Sequence, residues 1–406
     1  MQLSYLELDH FRNYTRLELS LEARCHIFCG RNAQGKTNLL EAIYYLVTTK
    51  SPLASSDREV IGWDAESEPI PFARLRGGFQ RANSSVAIEA TLMLEETSDP
   101  SHTPRLRKQL RVNGVPRRAM DALGQVNAVL FMPQDMDLVS GAPSVRRRYI
   151  DGTLCQIDSA YCRALSKYNQ VVSQRNALLK RIRDHEAGPN ELSYWDEQLV
   201  TLGARVLARR HAVVLELDAY ASEAHADLTA QVEHMSLHYS SSLEERATEV
   251  CAISDTPPGD AVAIADLWRR ILPEIRREEI GRGITVVGPH RDDLVFAIGG
   301  KEAAAYASRG QQRTSTLALK MAEMRLMTRS AGERPILLLD DVASELDSER
   351  CQHLVKVVHA SDQVLITTTH LDALPMRLRA KAQSWLIERG VVTPLADDGQ
   401  RGWGGV

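Results

Sequence analysis

Apolar and polar positions change their rhythm twice along this 406-residue chain. In the N-terminal third, LSYLELDHF and TRLELSL alternate, HIFCG is a short apolar run, and SVAIEATLMLEE and RKQLRVNG resume a two-residue period before NAVLFM. Strands present alternate residues to opposite faces, so this third is predicted to be sheet, and Asn113-Gly114 suits a tight hairpin within it. Near residue 145 the period lengthens. Tyr161, Leu165, Tyr168, Val172, Leu179 and Ile182 recur at helical spacing, broken only by Arg175. After the breaker HEAGPNEL a second series runs through Leu192, Trp195, Leu199, Leu202, Val206, Val213, Leu217 and Tyr220. These predict two antiparallel helices forming an arm, each about 30 to 40 Å long at 1.5 Å per residue. SSLEERATEVCAISDTPPGD reads as a loop-rich return and AVAIADLWRRILPEIRREEIGRG as a further helix. Strand signals in ITVVGPHRDDLVFAIGG follow, then a helix after SRGQQ, the strand PILLLDD, a helix through Val358 and the strand QVLITTTH; GQRGWGGV reads as a frayed tail.

A chain of this length exceeds what one core holds, so two lobes are expected. No run of about 18 uncharged apolar residues occurs, and MQLSYLELDHFRNY mixes apolar with charged residues, so a cytoplasmic protein with no membrane partner is expected. The six cysteines, Cys25, Cys29, Cys155, Cys162, Cys251 and Cys351, form no CxxC pair, which argues against a disulfide framework or zinc ribbon. With a net charge of −4, nucleic-acid binding must come from local patches.

The strongest chemical signal is GRNAQGKT between an apolar strand and the helix TNLLEAIYYL. Its residues Gly30, Arg31, Asn32, Ala33, Gln34, Gly35, Lys36 and Thr37, with Asn38 beyond, match a loop whose backbone N–H groups surround nucleotide phosphates. Lys36 reaches the outer phosphates and the Thr37 hydroxyl suits Mg²⁺, so ATP and Mg²⁺ are the expected cofactors. A bridging metal also needs a carboxylate at a neighbouring strand end. PILLLDD supplies Asp340 for the metal and Asp341 to orient or deprotonate the attacking water. His370, which ends TTTH, stands where a γ-phosphate sensor would sit, the alternative being a surface histidine. Gln134 in FMPQD suits contact with metal or water, the alternative being a loop amide. A second phosphate-type segment, Ser308, Arg309, Gly310 and Gln311, opens a helix 270 residues or so after the first. For DNA, PRLRKQLRVNGVPRR carries Arg105, Arg107, Lys108, Arg111, Arg117 and Arg118 with no acid, against the alternative of a solvated hairpin. Arg146 to Arg148 add charge at a helix start, or bridge the lobes.

The order of phosphate loop, glutamine loop, SRGQQ, LLLDDVASELD and strand-end histidine resembles the ABC-type ATPases, with SRGQQ as signature. The long helical insertion before SRGQQ resembles the SMC-like DNA repair ATPases. FRNY, GRNAQGKTNLLEAIY, SDREVIGWD, SVRRRYID, YNQVVSQRNALLK, GITVVGPHRDDL, SRGQQRT and LLLDDVASELD together resemble the RecF family, in RecF order. Pro52, Leu53 and Gly62 stand where members often carry basic or hydrogen-bonding residues. The resemblance implies an α/β fold, a P-loop ABC-type ATPase head with a β-rich N-terminal part and an inserted helical arm lobe. The ATPase lobe would comprise 1–144 and 284–406, the arm lobe 145–283. It further implies an ATP-dependent homodimer that binds gapped DNA at single-strand/double-strand junctions and, with RecO and RecR, helps load RecA. In such dimers the signature serves the nucleotide of the second subunit. Slow, DNA-stimulated hydrolysis is expected, since Asp341 is one methylene shorter than the glutamate of transporter ATPases. A nucleotide-gated scaffold without productive hydrolysis and a transporter subunit are the competing readings.

Overall fold

The computed structural model describes residues 1–95, 104–246, 259–342 and 355–395. The expected C-terminal tail, most of the loop-rich return, SELD and the start of the helix after it lie outside the described residues. The chain forms two compact units, residues 1–133 with those from 327 onward, and residues 134–326. Among the described residues no helix is long and apolar enough to cross a membrane.

The first unit begins with β1 (Gln2–Phe11), β2 (Tyr14–Ser20), β3 (Cys25–Cys29) and α1 (Lys36–Thr48). It continues with β4 (Phe72–Gln80), β5 (Ser85–Glu95), β6 (Arg105–Val112), β7 (Val115–Arg117), α2 (Ala119–Ala122) and β8 (Ala128–Phe131). An antiparallel sheet runs β2-β1-β4-β5-β6-β7, as the alternating sequence predicts. A register shift between Leu3 and Tyr5 lets Leu3, Leu6 and Leu8 all face the core. At the β6–β7 turn Asn113 and Gly114 take φ of 51° and 76°, the left-handed pair a tight hairpin requires.

The second unit holds α3 (Asp137–Ser140), α4 (Pro143–Ile157), α5 (Ser159–Arg183), α6 (Leu192–Leu228) and β9 (Met235–Ser240). After α7 (Ala261–Arg282) come β10 (Asp293–Ile298), β11 (Lys301–Glu302), α8 (Ala303–Tyr306) and the start of α9 (Arg309–Ala331). α5 and α6 pack together as expected. At 37 residues α6 is about 55 Å long, more than the expected 30 to 40 Å, because its buried stripe continues past Tyr220 on Ala221, Ala224 and Leu228. Residues 284–326, expected in the ATPase lobe, belong to this unit, since β10 pairs with β9. ITVVGPHRDD is not strand. Its polar groups bond to side chains instead: Thr285 N donates to Asn176 Oδ1 at 2.7 Å and Gly288 N to Ser242 Oγ at 2.8 Å. Gly288 has φ of 120°, and a Cβ there would meet the Tyr168 hydroxyl at 2.5 Å.

This unit also buries charge. Arg175, the apparent break in the α5 pattern, is fully buried and donates to Asp196, Glu279 and Thr285, each at about 2.9 Å. Arg210 grips Asp151 at 2.9 and 3.0 Å and the Pro289 carbonyl at 2.6 Å. Asp292 accepts from Tyr239 and Ser242, so the HRDD segment is spent on holding helices to the small sheet. Arg146 pairs with Asp293 and Arg147 donates to the Asp292 carbonyl, both within this unit.

The chain then completes the first unit with β12 (Ile336–Asp340), β13 (Val364–Thr368), β14 (Gln383–Glu388) and β15 (Val391–Pro394). Its second sheet runs β15-β14-β3-β13-β12-β8, parallel except for β15. β3, β12 and β13 are buried along their whole length, which is why they read as continuous apolar runs. α1 packs between the sheets, with Leu39, Ile43 and Leu46 in one core with Leu6, Leu75, Ile88, Leu338 and Leu365.

Candidate functional site

The phosphate loop leaves the carboxyl end of β3 and turns into α1. Ala33 and Gly35 adopt φ of 63° and 114°, and a Cβ on Gly35 would meet Asn13 Nδ2 at 2.6 Å. The curl turns Lys36 inward, where Nζ donates to the Gly30 and Arg31 carbonyls at 2.7 and 3.0 Å. Burial lowers the affinity of this ammonium for its proton, although Asp341 and Asp340 oppose the effect. Thr37 Oγ1 donates to Asp340 Oδ2 at 2.8 Å, and Thr367 Oγ1 to Asp340 Oδ1 at 2.6 Å. Burial raises the Asp340 carboxyl, partly offset by these hydroxyls. A hydroxyl and a carboxylate at contact distance are hard oxygen donors of the kind Mg²⁺ takes beside phosphate oxygens, so Thr37 and Asp340 fit that ion. The buried Lys36, whose ammonium donates to backbone carbonyls, fits an anionic ligand.

Asp341 follows at φ 48°, its N–H held by Thr367 Oγ1 at 3.0 Å. His370 is exposed two residues past Thr368, which pairs with Cys29 at the mouth of the loop. Arg31, Asn32 and Ala33 form the exposed crest. Gln134 is exposed and begins the second unit.

The motif FRNY earns a role that its residue types alone did not disclose. Asn13 Nδ2 donates to the Gln34 carbonyl at 2.9 Å, Tyr14 to the Gly35 carbonyl at 2.9 Å, and Asn38 Nδ2 to Asn13 Oδ1 at 2.8 Å. From the β14–β15 turn, Arg389 N donates to Gln34 Oε1 at 2.7 Å and Gly390 N to the Gln34 carbonyl at 3.1 Å. Arg12 pairs with buried Glu41 of α1 at 2.6 Å. The loop is thus braced from two remote segments.

The family model described as RecF/RecN/SMC N terminal domain matches residues 2–379. The DNA replication and repair protein RecF of Herpetosiphon aurantiacus is 41% identical over 401 residues, covering 97% of this chain and 100% of that protein. That of Bacillus subtilis is 34% identical, with 97% and 100% covered. The chain belongs to the RecF family. Among solved structures, that of the recombination mediator protein RecF-ATPrS in the RecFOR pathway superposes with a TM-score of 0.84 at 29% identity, covering 97% of this chain and 98% of that one. The RecF-ATP structure of that pathway gives 0.82 at 30%, with 97% of each covered. An Smc head bound to the C-winged helix domain of ScpA, at 0.50 and 15% with 98% of each covered, shares the fold alone. The fold is therefore the expected ABC-type ATPase head with a helical arm, and the chain is a DNA replication and repair protein.

In this RecF-family chain the signature starts α9 in the second unit. Ser308 and Arg309 are exposed, and the Gly310 carbonyl accepts from Thr314. The Gln311 carboxamide is engaged by its own chain: Oε1 accepts from Ser308 N at 2.9 Å and Nε2 donates to Glu233 at 2.8 Å.

The basic hairpin divides by face. Arg105, Arg107 and Arg111 point outward on β6, Arg107 pairing with Glu95 at 2.9 Å. Arg117 and Arg118 are exposed beyond the turn. Lys108 does not belong with them, a correction to the sequence reading. Strand alternation turns it to the core face, where it pairs with Asp57 at 3.0 Å and lies 4.6 Å from the Tyr45 ring centre, and burial lowers its pKa.

Proposed function

We propose that this chain is an ATP-dependent, DNA-binding recombination mediator that recognises gapped or junction DNA and, with RecO and RecR, helps load RecA. The observation that carries the ATP part is the joint placement of Lys36 inside the loop and Thr37 against Asp340. The similarity to the RecF-ATPrS and RecF-ATP structures of the RecFOR pathway supports the ligand and the partners. In this reading the loop N–H groups and Lys36 hold the phosphates, and Thr37 and Asp340 hold Mg²⁺, which neutralises phosphate charge when bound. Asp341 orients the attacking water, His370 acts as the γ-phosphate sensor, and Gln134 contacts the metal or the water. Ser308 and the first N–H groups of α9 close over the nucleotide of a second copy, so that ATP joins two copies about a two-fold axis. DNA phosphates meet the outward arginines of the hairpin.

Mixing two inactive variants tests this. Lys36→Ala loses ATP binding and dimerisation; Ser308→Arg keeps ATP binding through Lys36 but does not dimerise. A heterodimer carries both lesions in one site and none in the other, so sedimentation of the mixture with ATP should detect mixed dimers although neither variant dimerises alone. Absence of any mixed dimer, or full dimerisation of Ser308→Arg alone, overturns the reading. Turnover with and without gapped DNA then decides whether Asp341 serves hydrolysis or the chain is a nucleotide-gated scaffold.

A further inference from the structure

The signature caps its own helix. Ser308 N donates to Gln311 Oε1 at 2.9 Å and Gln311 N to Ser308 Oγ at 3.3 Å, a reciprocal capping box. A carboxamide has two ends of nearly equal shape and opposite chemistry. Were it flipped, its NH₂ would face the Ser308 N–H and both bonds of the cap's side-chain arm would fail. What fixes the orientation is Glu233, an acceptor-only carboxylate whose Oε1 takes the Gln311 Nε2 proton at 2.8 Å. Glu233 lies 78 residues away in sequence, outside every motif.

Its location gives the contact a second meaning. Glu233 sits in the turn that ends the long helix α6 and enters β9. Ala230 and Gln231 take φ of 48° and 66° there, Gln231 N bonds back to the Ala226 carbonyl at 2.7 Å, and the neighbouring His234 carbonyl accepts from Gly299 N at 2.9 Å. The turn is therefore held on both sides and presents Glu233 from a defined position. Glu233 Oε2 lies 4.0 Å from Nε2 of the buried His225, a contact at the outer limit of an ion pair on a side chain 30% exposed and of small worth, so removing that side chain should not unfold the unit.

We propose that Glu233 is a positioning residue for the signature. Resting on the composite-site reading above, it fixes the Gln311 carboxamide, and through it the Ser308 hydroxyl and first N–H groups of α9, in the arrangement that receives the terminal phosphate held by a second copy. It also makes that arrangement depend on the end of the arm helix.

The test uses the full chain, ATP, and two variants that separate position from charge. Glu233→Gln keeps an acceptor oxygen for Gln311 without the charge; Glu233→Ala keeps neither. The expected result is that Glu233→Ala weakens ATP-dependent dimerisation about tenfold, the scale of one hydrogen bond to a charged group, while Glu233→Gln stays within about threefold of the parent. Fluorescent ATP-analogue binding to the dilute monomer and the thermal midpoint should not move in either. Parent-like dimerisation of Glu233→Ala, or a Glu233→Gln as defective as Glu233→Ala, overturns the proposal. Ser308→Arg in the same assay keeps the two readings apart: if it dimerises normally the composite site has failed, and if it does not while Glu233→Ala does, Glu233 alone has failed.

Discussion

Between its sheets the phosphate-loop unit buries leucine, isoleucine and valine, and its buried ions, Lys36, Glu41 and Asp340, gather around the candidate nucleotide site. The helical unit spreads its buried ions through its framework instead, with Arg175, Arg210, Glu279 and Asp292 all 2% exposed or less. Apolar burial is non-directional and tolerates exchange, whereas a buried ion needs a partner at one place and one angle. In one unit the buried charge gathers around the candidate site, Glu41 there bracing α1 through Arg12. In the other it fixes which helix meets which strand.

The largest effects should come from removing one member of each kind of core. Arg210→Met strands the Asp151 carboxylate and should destabilise the helical unit by about 3–5 kcal/mol in chemical denaturation. Leu338→Ala should cost the other unit about 2–5 kcal/mol. The contrast is sharpened by second changes: Arg175→Met should be partly rescued by Glu279→Gln, which neutralises the stranded charge. No second polar change should rescue Leu338→Ala, and if one does, the two cores do not differ as described.

A smaller effect separates the faces of β6. Arg105, Arg107 and Arg111 changed together to Glu should weaken DNA binding and flatten its salt dependence by about 0.9 log units per lost duplex phosphate contact. Lys108→Ala should lower the thermal midpoint and leave that slope alone. An unchanged slope in the triple variant would make the hairpin a solvated face.

Acid should affect both units alike. Burial holds His26, which accepts from Trp385 Nε1, and His290, which accepts from Tyr168, at a pKa of about 4 against 6.5 in the unfolded chain. The unfolded chain thus binds more protons between these values, and stability should fall as pH drops from about 6.5 toward 4. Hydrogen exchange read separately at β3 and α5 should show both losing protection in that window, with His26→Gln flattening only the first. The smallest expected change is in the stability of Lys36→Ala: relieved of a poorly compensated ammonium, it should melt no lower than the parent while losing ATP.

What was legible in the sequence follows the same division. Alternation in β1 and β5, the Asn113-Gly114 turn and the apolar runs ending at Gly30 and Asp340 are local signals, and each formed where expected. Arg175 looked like an interruption because its partners lie 21 and 104 residues away, too far for any periodicity to register. ITVV looked like strand because its residue types favour one, but Asn176 and Ser242 take the backbone donors that a ladder would use. Lys36, Thr37 and Asp340 were readable because phosphate chemistry dictates their types. Asn13, Tyr14 and Arg389 act on the loop through backbone groups and Gln34, where many side chains would serve, and Glu233 has no motif at all.

β3, which launches the phosphate loop, has no neighbour from its own part of the chain in the parallel sheet; it lies between β13 and β14, more than 330 residues downstream. On a ribosome, residues 134–326 emerge complete and can settle while β3 still waits for both flanking strands. A nascent chain should therefore remain unable to hold nucleotide until its last strands emerge, and a message cut short before them would yield a folded arm with no ATP-responsive head.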